Sequence, residues 1–333
     1  LNIFDGVSAT DVVDGASLAT PTANPSIIDT SISGVQIVTY TVVDSDGNTS
    51  NASRTYVIGN SIIGTNHAII ADDFIQRVAE VSLNSNDMIA AANAKAYDLQ
   101  TGELVNITVK DTGGYQAAVG KYPISFAVTS DTSAEISIIG TVVPDETIAI
   151  GDTHYIVAHD FTKKVSETLG TTTEIITETN AKSYRLSNLT EDGTVTVSNL
   201  DGYTNTVGTY HPVLVSSEDA TSTATITGII IPDNTIAVGD THYIVANNYE
   251  RKVSEVNGTN AEIISLSDAK VYKKSDHTED GTVEVSDTNS YAKSIGTYKP
   301  TLTATKDQTA SATIVATILP DDVLGYGDTH YIT

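Results

Sequence analysis

The stretch GDTHYIVA occupies residues 151–158 and returns letter for letter at 239–246, and GDTHYI stands at 327–332. An earlier variant opens on Gly64, Thr65, Asn66 and His67. The leading glycines Gly64, Gly151, Gly239 and Gly327 are spaced 87, 88 and 88 residues apart. Other anchors follow in the same order. NAKAY (93–97), NAKSY (180–184) and DAKVY (268–272) come first, then VGKY (119–122), VGTY (207–210) and IGTY (295–298). Each copy closes on Pro-Asp, at Pro144-Asp145, Pro232-Asp233 and Pro320-Asp321. A single deletion, between Lys and Gly of the first copy, brings these anchors into line. The chain therefore carries three tandem modules, which self-similarity alone establishes.

Within a module the apolar period is two, the mark of a half-buried strand. The inward set of the last strand is Ile136, Ile138, Gly140, Val142, then Ala224, Ile226, Gly228, Ile230, then Ala312, Ile314, Ala316, Ile318. The small residue at the third place predicts close approach of a facing strand or ring. Gly-x-Tyr entering a late strand predicts a tyrosine corner, its phenol tied back to the backbone. Short strands with regular turn signals over nearly 90 residues predict an antiparallel sandwich. A helical turn is expected before each Lys strand, at 88–92, 175–179 and 263–267. The first 60 residues read as strands at 6–15 and 33–58, the second a hairpin with Asp-Gly-Asn at its tip.

Composition agrees. Thr, Ser, Val and Ile are abundant, and Tyr (16) outnumbers Phe (4), which suits a pleated surface. Seventeen basic residues against 42 acidic ones give a net charge of −25. Such a chain repels nucleic acid and anionic membrane surfaces, so neither is an expected partner. With no cysteine there is neither a disulfide nor a thiolate site. No apolar run approaches the ~20 residues of a membrane span, so membrane insertion is not expected. No phosphate loop, nucleophile elbow or HExxH occurs, so no enzyme activity is expected.

The modules resemble the Ig-like repeats of large cell-wall-anchored surface proteins and adhesins of Gram-positive bacteria. In those, a strand ending in a DF-like pair leads to an A-K-x-Y-like strand and then a G-x-Y strand. Here Asp72-Asp73-Phe74, His159-Asp160-Phe161 and Asn247-Asn248-Tyr249 match that opening. The N-terminal segment resembles a bacterial Ig-like module, departing from it at Val35-Gln36. The antibody-domain cysteine pin and strand tryptophan are absent. The resemblance implies an all-β chain of tandem Ig-like antiparallel β-sandwich modules in an elongated rod, roughly 130 Å or more at ~3.3 Å per strand residue. The expected division is an incomplete or divergent module at 1–60, repeats at 61–148, 149–236 and 237–324, and the start of a further repeat at 325–333. Both ends read as cuts in a longer repetitive protein, with residues 328–333 a candidate first strand for a neighbouring chain.

The function implied is non-catalytic: an extracellular stalk on a bacterial cell surface or cell wall, holding a binding head away from it. The alternatives are a self-assembling fibre or surface-layer subunit, and direct binding of a host protein or glycan through module loops. Expected partners are neighbouring modules, copies of the same protein, and a host glycan or matrix protein, met at loops such as those at Tyr115, Tyr203 and Tyr291.

Three site chemistries are candidates. Asp152 with His154, and Asp240 with His242, would face one side of a strand and share a metal, although the first copy lacks this carboxylate. The alternative is that His67, His154, His242 and His330 pack the joints between modules. Calcium at the junctions would take Asp145 with Asp152, Asp233 with Asp240 and Asp321 with Asp328, unless the Pro-Asp pairs are simply turns. Residues 44–48 begin like a calcium loop but lack the closing glutamate at Thr55, and so read as a hairpin tip. Finally, Lys95, Lys182 and Lys270 recur with Glu80, Glu167 and Glu255 as candidates for internal isopeptide crosslinks. The acceptors would be Asp131, Asp219 and Asp307, which a hairpin turn is expected to leave exposed and ionised. The alternative is a strand lysine whose stem covers apolar surface and whose ammonium pairs with Glu.

Overall fold

A computed structural model describes residues 2–11, 20–326 and 331–332. The chain divides into two compact units, Leu1–Asp145 and Glu146–Thr333. Three of the apolar clusters correspond to the three copies, and a fourth belongs to the N-terminal segment.

The second unit holds two copies of one design. In the earlier of them, Thr147–Ile150 and His154–Val157 form a hairpin that Lys182–Arg185 extends to three antiparallel strands. Thr147–Ile150 straddles the 148/149 division expected between repeats. A second sheet places Gly228–Ile231 between Phe161–Lys164 and Gly208–Tyr210, and a third joins Val195–Asn199, Val213–Ser216 and Thr223–Thr225. The pairing of Phe161–Lys164 with Gly228–Ile231 is parallel, a departure from an otherwise antiparallel sandwich. The later copy repeats all of this 88 residues on, with Tyr249–Lys252 parallel to Ala316–Leu319.

In the first unit the same copy is more continuous. Gly120–Val128 and Asp131–Val143 run unbroken in one sheet with Phe74–Arg77 and Ile107–Asp111. The other copies insert His211 or Lys299 ahead of their proline, and there the long strand divides in two. Proline offers no N–H to a ladder, and one extra residue shifts every later side chain to the opposite face. The N-terminal module is a three-stranded sheet of Thr22–Asn24, Gly34–Val43 and Thr49–Ile58 over Ile3, Ile28, Val38 and Tyr40. The strand expected at 6–15 does not form over residues 7–10, and residues 12–15 lie outside the described set.

The expected helical turns are real and begin three residues early: α1 Ser85–Ala91, α2 Thr172–Thr179 and α3 Asn260–Leu266. Asn84, Thr171 and Thr259 cap them, each side chain accepting a backbone N–H of the first turn. Their inward residues Met88, Ile175 and Ile263 enter the three cores.

The small residue of the last strand answers to a ring, as expected. Phe74, Phe161 and Tyr249 lie in register with Gly140, Gly228 and Ala316 across the parallel pair. A Cβ on Gly228 would come within 2.6 Å of the Phe161 ring, and one on Gly140 within 2.9 Å of Phe74. The polar residue before each ring has its own task. Asp73, Asp160 and Asn248 accept the N–H of Ile139, Thr227 and Val315 at 2.7, 2.6 and 2.7 Å, which fixes that register. The tyrosine corners form as expected: Tyr122, Tyr210 and Tyr298 donate to carbonyls four residues upstream, at 2.8, 3.1 and 3.1 Å.

Candidate functional site

The opening motif turns out to be one half of a clamp. In the second copy Gly151, Asp152 and Thr153 make the turn between the two hairpin strands. One oxygen of Asp219 accepts the N–H groups of Thr153 (2.6 Å) and His154 (2.9 Å) and the Thr153 hydroxyl (3.2 Å). Its other oxygen accepts the Thr221 N–H and hydroxyl, at 3.0 and 2.5 Å. Thr221 Oγ1 in turn accepts the Asp152 N–H at 2.8 Å. Gly151 is required, because a Cβ there would lie 2.5 Å from the Ser222 nitrogen and 2.6 Å from Asp219. Asp307 makes the same set with Thr241, His242 and Thr309. In the first copy Asp131 takes the N–H of Asn66 and His67, with Ser133 in place of the threonine.

This corrects the expectation that these three aspartates are exposed. Asp131, Asp219 and Asp307 are 6, 8 and 8% exposed. Each pKa nonetheless falls far below the ordinary carboxylate value. For Asp219 and Asp307 burial pushes upward, but hydrogen bonds from the neighbouring threonines and from two backbone N–H groups outweigh it. For Asp131 the Ser133 hydroxyl and the Asn66 N–H dominate. A carboxylate so surrounded by donors stays ionised while buried.

The candidate metal ligands are dispersed among other tasks. His154 Nδ1 bonds the Thr153 hydroxyl (2.8 Å) and Nε2 the Asp192 carboxylate (3.2 Å). His242 does the same with Thr241 and Asp280, at 2.8 and 3.3 Å. Asp152 and Asp240 are exposed, and their places in the clamp are taken by their backbone N–H groups. Asp145, Asp233 and Asp321 accept the N–H of Ala79, Ser166 and Ser254, at 2.7, 2.8 and 2.9 Å. Each thereby anchors a short 3-10 turn, Val78–Glu80, Val165–Glu167 or Val253–Glu255. The Asp44 carboxylate closes its own hairpin tip, accepting from the N–H groups of Asp46 and Asn48 and from the Asn48 side chain. Among the described residues no group of three or more His, Asp or Glu is arranged to hold a metal ion. Asp328 and His330 lie outside the described residues.

The lysines are placed apart from the aspartates of the clamp. Lys182 pairs with Glu191 at 2.9 Å, Lys270 stands 4.0 Å from Asp268, and Lys95 is exposed. Glu80, Glu167 and Glu255 accept the backbone N–H of Arg77, Lys164 and Lys252. The proposed loop tyrosines are also corrected. Tyr115, Tyr203 and Tyr291 are buried, each standing edge-on between the ring of the parallel strand and the corner tyrosine, with centroids 5.4 to 6.4 Å apart. They are core residues, because a ring packed on both sides presents no face to a ligand.

Within the second unit one copy meets the next through a defined joint. Ile229 and Ile231, on the outer side of their sheet, pack with Tyr243, Val245 and Tyr272. Tyr243 and Tyr272 stack at 5.5 Å and 17°. The Thr209 hydroxyl donates to the Lys274 carbonyl at 2.9 Å and lies 3.1 Å from His277 Nε2. His277 Nδ1 lies 3.1 Å from the Tyr243 hydroxyl. Beside this joint runs an open groove of about 690 Å³ that includes Asp160, Asp240, His242, Lys273 and Lys274. The spacing of the motifs did not reveal this contact: Tyr243, Val245 and Tyr272 recur as Tyr155, Val157 and Tyr184, but His277 stands where the second copy has Leu189.

The class defined by this fold is an all-β chain of tandem Ig-like sandwich modules. No protein-family model and no curated protein matches the sequence. Among solved structures the chain is similar to extracellular cadherin domains 1–4 of protocadherin gamma B7, at 11% identity over 85% of this chain and 83% of that one, TM-score 0.18. It is also similar to invasin, a bacterial integrin-binding protein, at 11% identity over 86% and 65% of the two chains, TM-score 0.22. A third is the M60 catalytic domain with two CBM51 domains of Clostridium perfringens ZmpB, at 10% identity over 86% and 34%, TM-score 0.20. Among the described residues no helix is long and apolar enough to cross a membrane.

Proposed function

We propose that the chain is a non-catalytic structural stalk of a bacterial cell-surface adhesin, extracellular at the cell wall, spacing a binding head from the surface. The observation that carries this reading is the clamp: one buried aspartate per copy closes the same hairpin across 64 to 66 residues, three times over. Each copy has its own core, so units can be added in series without redesigning any one of them. A net charge of −25 keeps neighbouring stalks apart and soluble. Partners in this role are the adjoining modules and copies of the same protein, with any host glycan or matrix protein held by the head.

Single-molecule pulling on the full chain tests it. Three unfolding events of one size should appear, one per repeat, each releasing somewhat less than about 300 Å of chain at roughly 3.5 Å per residue, beside a smaller release from the N-terminal module. Extension without discrete events would overturn the stalk reading. Sedimentation at several concentrations separates it from a fibre or surface-layer subunit, which would associate as concentration rises.

A further inference from the structure

We propose that the joint between the second and third copies is a proton-sensitive hinge, whose closed form requires a neutral His277 ring. The Thr209 hydroxyl gives its one proton to the Lys274 carbonyl, so towards His277 it can only accept. Nε2 of His277 therefore carries the hydrogen. Nδ1 is then the bare nitrogen and accepts from the Tyr243 hydroxyl. One ring thus links a hydroxyl of the second copy to the tyrosine on which Ile229 and Ile231 of that copy pack. Protonation puts a hydrogen on Nδ1, ends the Tyr243 donation and places a cation in a half-buried seam.

The surrounding charges do not offset this. Asp276 on the same turn favours the charged ring, but its carboxylate is taken up by the N–H and hydroxyl of Thr278. Lys273 pairs with Asp280, and the Lys274 ammonium donates to the Gly239 carbonyl. From the second copy, the strand Gly208–Tyr210 brings the Thr209 hydroxyl and the Gly208 carbonyl, the latter favouring the charged ring. The adjoining groove adds Asp160, Asp240 and His242. Burial is the largest influence and holds the His277 pKa below its ordinary 6.5. A lowered pKa means that the ring's contribution to closure is complete above about pH 6.5. It weakens as pH falls from there, by at most about tenfold per pH unit, until the closed-state pKa is passed.

The chain has no cysteine, so Thr196→Cys and Glu284→Cys place two spin labels at exposed, equivalent sites in the two copies. The label distance distribution is then measured at pH 7.5 and pH 5 in the full chain, alone and with His277→Leu or His277→Gln. Leucine suits the site, since Leu189 holds the same left-handed backbone in the second copy, φ 60° against 58°. Glutamine keeps a donor without titrating. The expected result is a distribution that shifts or broadens at pH 5 in the parent and stays fixed in both variants. A parent distribution unchanged at pH 5, or the same acid response in both variants, would overturn the proposal. So would a ring ¹⁵N spectrum at pH 7.5 showing the hydrogen on Nδ1.

Discussion

The Asp219 carboxylate accepts the backbone N–H of His154, 65 residues earlier in the chain, at 2.9 Å. That bond joins a turn near the end of the copy to the hairpin at its beginning, and Asp307 with His242 repeats it at 2.9 Å. Replacing Asp219 by Ala strands three backbone N–H groups and two hydroxyls. We expect a loss of roughly 3 kcal/mol in the second copy, read from urea unfolding. Asp219→Asn should cost less, because the amide oxygen still accepts on one side.

Acid should act through the same groups. Their folded pKa values lie below the ordinary 3.8, so the stabilisation they supply is complete above that value. It is lost as pH falls towards the folded-state pKa values. Circular dichroism from pH 7 to pH 2 should therefore show stability falling below about pH 4, and the second copy's transition should flatten in Asp219→Asn. Stability that rises over this range would contradict the clamp.

Glycine substitutions should rank by what the new methyl meets. At Gly151 it meets a backbone nitrogen and a buried carboxylate, neither free to move. At Gly228 it meets the Phe161 ring, and the third copy already carries Ala316 against Tyr249. Gly151→Ala should cost upwards of 2 kcal/mol and Gly228→Ala nearer 1. Differential scanning calorimetry of the two variants checks the order.

Lys163 and Glu174 form a largely buried ion pair at 2.7 Å, unique to the second copy, where the other copies have Gln76 and Arg251. Glu174 also accepts the N–H of Leu169 and Gly170 at 2.8 and 2.9 Å. Glu174→Ala should cost about 3 kcal/mol, since it leaves buried donors and a cation short of a partner. Lys163→Met should cost less, because the glutamate keeps its two N–H donors and the methionine fills the stem's place. Urea midpoints of the single variants measure both.

Local signals were legible where the residues that carry them are close in sequence. Ile226 and Ile230 alternate as strands require, Tyr210 ties back four residues, and Thr171 caps α2 from next door. The misread residues are those whose environment is made by distant chain. Asp219 sits in a hairpin turn, and by itself such an aspartate reads as solvated. Its burial comes from a turn 65 residues away. Tyr203 reads as a loop side chain until Phe161 and Tyr210 close on it from either side. A signal for the clamp was nonetheless present: Gly151 and Asp219 recur together in all three copies, although only close approach in space explains why.

The sequence by itself determined the repeat, the all-β class and the inward face of each strand, because periodicity and turn chemistry act over a few residues. Only the tertiary structure decided that GDTHY is a clamped turn, that its histidine and aspartate part ways, and that His277 sits in a seam between copies. Those outcomes depend on which hydrogen-bond donors surround a buried carboxylate or ring nitrogen, and folding brings such donors together from far apart in the chain.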